Sequence, residues 1–299
     1  MNTPIAFNRD FDPIYGAVEE VTPLIRRIVA ENPSAFTFTG TGTYILGRGK
    51  VAVIDPGPDM ESHVSALKRA IQGEVVTHIL VTHTHSDHSP ASAPLKAATG
   101  APIYAFGPHA TGRPGEHDVE EGADRRFDPD VTLRHGDIIE GDGWTIEAVH
   151  TPGHTSNHIC YALREEKALF PGDHVMGWST TVVSPPDGDM AAYMRSLKAL
   201  LARDDRIYYP THGAPIADPK PFVRALIRHR EEREDQILAC ISGGQTRIPD
   251  MVAQMYRDIP SYLHPAAARS VLAHLVHMVE THRVATNGAP GPENEYRIP

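Results

Sequence analysis

Residues 83–88 read His-Thr-His-Ser-Asp-His and directly follow the apolar run Ile79-Leu80-Val81-Thr82. Four potential metal ligands, His83, His85, Asp87 and His88, therefore stand where a buried strand opens into a loop. Neutral imidazole and carboxylate offer lone pairs without competing donors, which suits a borderline cation such as Zn²⁺. In an extended segment His83 and His85 point to one side, while Asp87 and His88 come from the following turn. One short stretch can thus supply half of each of two adjacent sites. Histidine is abundant, at 18 of 299 residues. Even so, His-x-His-x-Asp-His should arise by chance in about one such chain in two hundred. Three more candidates sit beside glycines at the ends of expected strands: His154 after Gly153, Asp173 after Gly172, and His212 before Gly213. Glycine accepts the φ values of tight turns, which lets a neighbouring side chain point into a cleft.

Strands and helices must carry these loops. Short strands are expected over 36–43, 43–47 and 51–55, with Gly47-Arg48-Gly49-Lys50 as a hairpin turn between the last two. Residues 60–72 place Val64, Leu67 and Ile71 on one helical face, ahead of a strand over 75–81. A helix over 91–99, a strand over 102–106 and a Gly- and charge-rich loop over 107–128 follow. Strand character resumes at 138–139, 144–150, 158–163 and 168–170, and 190–202 has Met190, Met194, Leu197 and Leu201 at helical spacing. From Pro221 the pattern is helical, over 222–241, 249–256 and 265–282. The segment 228–235 reads as a solvated face with i to i+4 pairs such as Arg230 with Glu234. The Gly- and Pro-rich tail, 287–299, reads as disordered.

The whole chain sets outer bounds. Its hydrophobic content of 40% and charged content of 22% are ordinary for a soluble globular protein. No apolar stretch reaches the roughly 18 residues that span a bilayer, and the charged first twenty residues lack the apolar core of a signal peptide. A cytoplasmic location is the resulting expectation. Cys160 and Cys240 are the two cysteines, too few for a disulfide framework or a thiolate zinc site. The net charge of −10 argues against broad attraction to nucleic acid or anionic membrane.

Taken in order, the motif at 83–88 with His154, Asp173 and His212 resembles the five-part signature of the metallo-β-lactamase superfamily. The resemblance implies an α+β fold, a four-layer αββα sandwich with two metals at one edge of its sheets. His83, His85 and His154 would bind the first metal, Asp87, His88 and His212 the second, and Asp173 would bridge both. Asp87 would also orient a hydroxide shared by the metals, and His158 could give a hydrogen bond or proton to the substrate; a structural loop histidine is the other reading of His158. Asp55 matches a supporting position behind the ligands; a plain Asp-Pro turn is the other reading. Having His85 where flavin-dependent diiron relatives carry a carboxylate favours two zinc ions, with manganese or iron as alternatives.

The segment 172–183, the helix with Tyr193, Met194, Ser196 and Leu197, and the run 229–238 resemble the lactamase-like-protein-2 group, whose members append a small winged-helix-like domain. The expected organisation is a catalytic domain over 1–218, a helical winged-helix-like domain over 219–286, and the tail. The superfamily resemblance implies a hydrolase of acyl (ester, thioester or lactam) or phosphodiester bonds, and the group resemblance implies, as the alternative, a single-strand RNA endonuclease. An iron-dependent persulfide dioxygenase and a non-catalytic winged-helix binding protein are the readings from other classes. Two features depart from the group. Ser89-Pro90-Ala91-Ser92 replaces the usual Gly-Gly after the motif, and residues 1–218 hold 18 basic against 29 acidic residues, a poor setting for a polyanion. Residues 219–299 hold ten basic and nine acidic residues. That balance is not the basic surface of a DNA-gripping winged helix, so a role in covering the cleft or in homodimerisation is expected instead.

Overall fold

A computed structural model describes residues 5–109, 122–258 and 260–299. Part of the expected loop over 107–128 lies outside these. Among the described residues the first sheet runs, in spatial order, β1 (Glu19–Glu20), β2 (Ile25–Val29), β3 (Gly42–Leu46), β4 (Lys50–Ile54), β5 (Val75–Leu80), β6 (Ile103–Ala105) and β7 (Val131–Thr132). Strands β1 to β4 pair antiparallel and β4 to β7 parallel. Parallel neighbours need crossover connections. Helices α1 (Glu61–Ala70) and α2 (Ser92–Thr99) provide two of them. The second sheet comprises β8 (Ile138–Gly141), β9 (Trp144–His150), β10 (Ile159–Leu163), β11 (Ala168–Phe170) and β12 (Ile207–Tyr208). It is antiparallel except where β11 meets β12.

The period-2 alternation of strand side chains builds the layers. In β4, Val51 and Val53 face α1 and α2, while Ala52 and Ile54 face the second sheet. In β10, Ile159, Tyr161 and Leu163 meet the first sheet from the other side. Cys160 and Ala162 turn outward against α3 (Met190–Leu201) and α4 (Pro219–Ser242). The result is helices, sheet, sheet, helices, the αββα sandwich. The end of α4 then packs with α5 (Ile248–Met255) and α6 (His264–Glu280) around a separate apolar cluster containing Ile237, Met251, Val271, Leu275 and Met278. No helix among the described residues is long and apolar enough to cross a membrane.

Three expectations need correction, and one strand had no sequence expectation. Residues 36–41 are not a strand. Phe38 sits at φ +57°, and the Asn32 side chain takes the Thr41 amide at 2.9 Å, a local bond that competes with ladder pairing. Strand β2, Ile25-Arg26-Arg27-Ile28-Val29, was hidden by its arginines. Both are buried, Arg26 against Glu74 at 2.7 Å and Arg27 against Glu19 at 2.7 Å. The charged stretch of α4 is not wholly solvated, because Arg230 and Glu234 are each only 4% exposed and do not pair with one another. Glu234 instead takes His277 at 2.7 Å, His274 at 3.4 Å and Arg283.

The tail, finally, is ordered. Strand β13 (Ala285–Thr286) pairs with β14 (Tyr296–Arg297), and the Tyr296 ring is 1% exposed inside the C-terminal cluster. Its hydroxyl donates to the Gly291 carbonyl at 2.8 Å. An aromatic anchor of this size outweighs the Gly- and Pro-rich composition around it. Replacing a buried aromatic residue with alanine costs about 3–5 kcal/mol. Tyr296→Ala is therefore expected to destabilise the C-terminal unit by about 3 kcal/mol in urea unfolding. An unchanged midpoint would restore the disordered-tail reading.

Candidate metal centre

The site lies where the strand ends of both sheets meet, and Asp55 organises its base. Leaving β4 at φ +47° and 1% exposed, Asp55 accepts the Thr82 amide at 2.8 Å and the Thr82 hydroxyl at 2.8 Å. It also accepts the Thr211 hydroxyl at 3.1 Å and His88 Nδ1 at 2.9 Å. These bonds tie together the loops after β4, β5 and β12. The plain-turn reading of Asp55 fails, because a turn residue would not need four buried donors.

Beyond β5 the motif turns as its spacing implied. His83 Nε2 and His85 Nδ1 lie 3.0 Å apart, and His154 Nε2 lies 3.2 Å from His85 Nδ1. His154 arrives from the loop after β9. Gly153 there has φ +141°, and a side chain on it would come within 2.4 Å of the Tyr193 backbone at the start of α3. A second group forms beside the first: Asp87 Oδ2 is 3.2 Å from His88 Nε2 and 3.1 Å from His212 Nε2. Asp173 stands between the groups. Its Oδ1 faces His88 at 3.5 Å and His212 at 3.3 Å, while Oδ2 faces His154 at 3.8 Å. All seven expected ligand residues are thus in one place, six buried and His85 half-buried.

Hydrogen bonds fix which nitrogen each ring offers. A carbonyl only accepts, so His154 Nδ1–H donates to Val182 O at 2.7 Å and His212 Nδ1–H to Gly40 O at 3.1 Å. His88 donates through Nδ1 to Asp55. In each case Nε2 is the nitrogen left facing the cluster, the usual arrangement behind a metal-binding imidazole.

Charge tells the same story. Burial pushes His83 and His85 well below the ordinary imidazole value, so both are neutral. Burial would lower His88 and His212 too, but the facing carboxylates override it. Asp87, Asp173 and Asp55 raise His88, and Asp173 and Asp87 hold His212 up to about 10. The pocket is short of positive charge. His88 Nε2, His212 Nε2 and Asp173 Oδ1 are moreover buried without a hydrogen-bond partner, a costly state for polar atoms. Divalent cations satisfy both needs, and the side chains fall into the sets His83, His85, His154 and Asp87, His88, His212, linked through Asp173. The residues fit the metals.

His158 does not fit its expected role. It is fully buried, its Nδ1 meets the Thr151 hydroxyl at 2.9 Å, and its Nε2 accepts the Asp173 amide at 3.3 Å. Burial also pushes its imidazole well below the ordinary value. With both nitrogens engaged it has no proton to offer a substrate; it braces the backbone of Asp173. Gly172 makes room for this, since a side chain there would lie 2.7 Å from His158 Nε2.

Several contributors escaped the sequence reading. Thr41 donates to Asp87 Oδ2 at 3.2 Å, and Thr82 and Thr211, each directly before a ligand histidine, hold Asp55. The repeated Thr-His pair was the available signal. At the departure from the group, the Ser89 hydroxyl donates to Asp124 at 3.0 Å, tethering the motif loop to the segment after residue 121.

The chain matches the metallo-beta-lactamase superfamily over residues 37–212 and the beta-lactamase associated winged helix domain over residues 248–291. It is 34% identical to the beta-lactamase-like protein 2 homolog of Drosophila melanogaster over 87% of this chain and 89% of that protein. To an atrochrysone carboxyl ACP thioesterase of Claviceps purpurea it is 32% identical, over 81% and 74%. The crystal structure of a beta-lactamase domain protein from Burkholderia ambifaria superimposes with a TM-score of 0.79 at 20% identity, covering 97% of this chain and 96% of that one. The chain is a hydrolase of the metallo-beta-lactamase superfamily, of the kind that carries a C-terminal winged helix domain.

Proposed function

We propose that this hydrolase is a dinuclear zinc enzyme that cleaves activated acyl bonds, thioesters foremost, in the cytoplasm. The observation that carries the proposal is the convergence of seven ligand residues into two groups joined by Asp173. Two zinc ions held there would acidify a water to make the nucleophile and polarise the substrate's carbonyl oxygen. The chain's own residues do the rest. Thr41 fixes the Asp87 carboxylate, and His158 with Thr181 fixes Asp173, through its amide and its carbonyl at 2.7 Å. Half-buried His85 marks the side from which substrate reaches the ligands. Next to His212, Phe38 and Trp178 stack with ring centres 4.9 Å apart and flank Gly213, an apolar wall for an acyl chain.

Thioesters suit this site because a thiol's ordinary pKa is about 8.5, so the thiolate leaves without help from an acid. The expected donor, His158, is committed elsewhere. An alkoxide leaving from an ester or from RNA would need that proton. Two observations also weigh against RNA. The catalytic half is acidic, and α6, the helix placed to enter a groove in a winged helix, is packed on both sides. Its Val271 and Leu275 enter the C-terminal cluster, and Ala273 packs on the cluster of α3 and α4. The similarity to a carboxyl ACP thioesterase supports the same reading.

Three outcomes are expected. Purified protein should hold about two zinc ions per chain. Asp173→Ala should lower metal content by elemental analysis and cut kcat/KM by more than the roughly 10–100-fold that losing a group behind a ligand costs. Full activity in a metal-free preparation contradicts this. On a panel of thioester, lactone, alkyl ester, chromogenic β-lactam and single-stranded RNA, the zinc-loaded protein should turn over the thioester fastest. RNA as the best substrate would overturn the acyl assignment.

A further inference from the structure

The C-terminal helix α4 sends one buried cation toward the metal centre. Arg230 is 4% exposed. Its guanidinium lies 5.3 Å from the centre of the Tyr193 ring and donates through Nη2 to the Thr181 carbonyl. Among the described residues it forms no ion pair; Glu234, one turn on, is committed to His274, His277 and Arg283. A cation buried without a carboxylate is costly, and a helix could be docked with apolar side chains instead. What Arg230 grips gives the reason. The Thr181 hydroxyl donates to the carbonyls of Asp173 at 2.7 Å and His174 at 3.0 Å. The next carbonyl along, Val182 O, is the acceptor that orients His154. The Tyr193 hydroxyl, under the guanidinium, donates to His174 O at 3.2 Å.

We infer that Arg230 is a positioning residue for the metal centre: by fixing the 181–182 strap it sets the orientation of His154 and the place of Asp173, and so couples helix α4 to metal affinity. The inference rests on reading the seven residues as a metal site. Groups that stand behind metal ligands typically change affinity 10–100-fold when removed.

The test titrates metal-stripped full-length protein with cobalt(II) against a competing chelator. It reads affinity, the visible absorption band of the bound ion and the thermal midpoint. Arg230→Met is expected to weaken cobalt binding about tenfold and to shift the band, and Arg230→Lys to recover part of both. Thr181→Val, which keeps Arg230 but cuts the bond to Asp173, should show a similar loss. Tyr296→Ala should lower the midpoint without touching affinity, since it loosens the C-terminal unit far from the strap. Wild-type affinity and band in Arg230→Met overturn the inference, and so does an equal affinity loss in Tyr296→Ala. If Arg230→Met does not fold, an unchanged Thr181→Val overturns it alone. Wild-type protein that binds no cobalt refutes the metal-site reading itself.

Discussion

Burying Asp87 and Asp173 together is the constraint around which this molecule is organised. Two carboxylates removed from water, with Asp55 just behind them, carry a large desolvation cost. The protein brings no lysine or arginine side chain to either of them in the described structure; the ionisable partners are imidazoles, with the Thr41 hydroxyl beside them on Asp87. Those rings can neutralise the carboxylates by taking protons, or they can stay neutral and share cations with them. The hydrogen bonds behind His88, His154 and His212 present Nε2 to the cluster and prepare the second arrangement. Much of the rest follows from this: the left-handed turn at Asp55, the glycines at 153 and 172, and the threonines that precede ligand histidines.

The sequence showed most of the site because ligand chemistry needs particular side chains at fixed places on strand ends. His83 to His88 could be read from residue type and from the apolar run before them. His154, Asp173 and His212 became legible only as an ordered set, since each alone looks like a loop residue. What stayed hidden depended on the third dimension. Backbone carbonyls such as Gly40 O and Val182 O carry no sequence signal. His158 looked like a proton donor until its two nitrogens were found to be committed. Strand β2 was masked by two arginines whose partners lie elsewhere in the chain, Glu19 in β1 and Glu74 in the turn before β5. The ordered tail was masked in a similar way, because a single Tyr296 decided against the composition of its neighbours.

The C-terminal unit belongs to the enzyme more closely than a separate binding module would. Its first helix packs Phe222, Val223 and Leu226 into the cluster that covers the second sheet, so α4 is at once the outer layer of the hydrolase and the root of the winged helix. Polar groups of this helix are divided in purpose. Glu234 holds α6 and Arg283 to the unit, while Arg230 reaches back to the strap beside the ligands. A helix that closes one layer of a sandwich can in this way influence the chemistry at its edge.

Anomalous diffraction at the zinc edge from crystals of the full chain tests the paired metal sites most directly. Two peaks are expected, each about 2.0–2.2 Å from its ligand atoms. One should lie among His83 Nε2, His85 Nδ1 and His154 Nε2, the other among Asp87, His88 and His212, with Asp173 touching both. Crystals grown with zinc that show no peak there, or a single peak with His212 hydrogen-bonded directly to Asp173, would contradict this pairing.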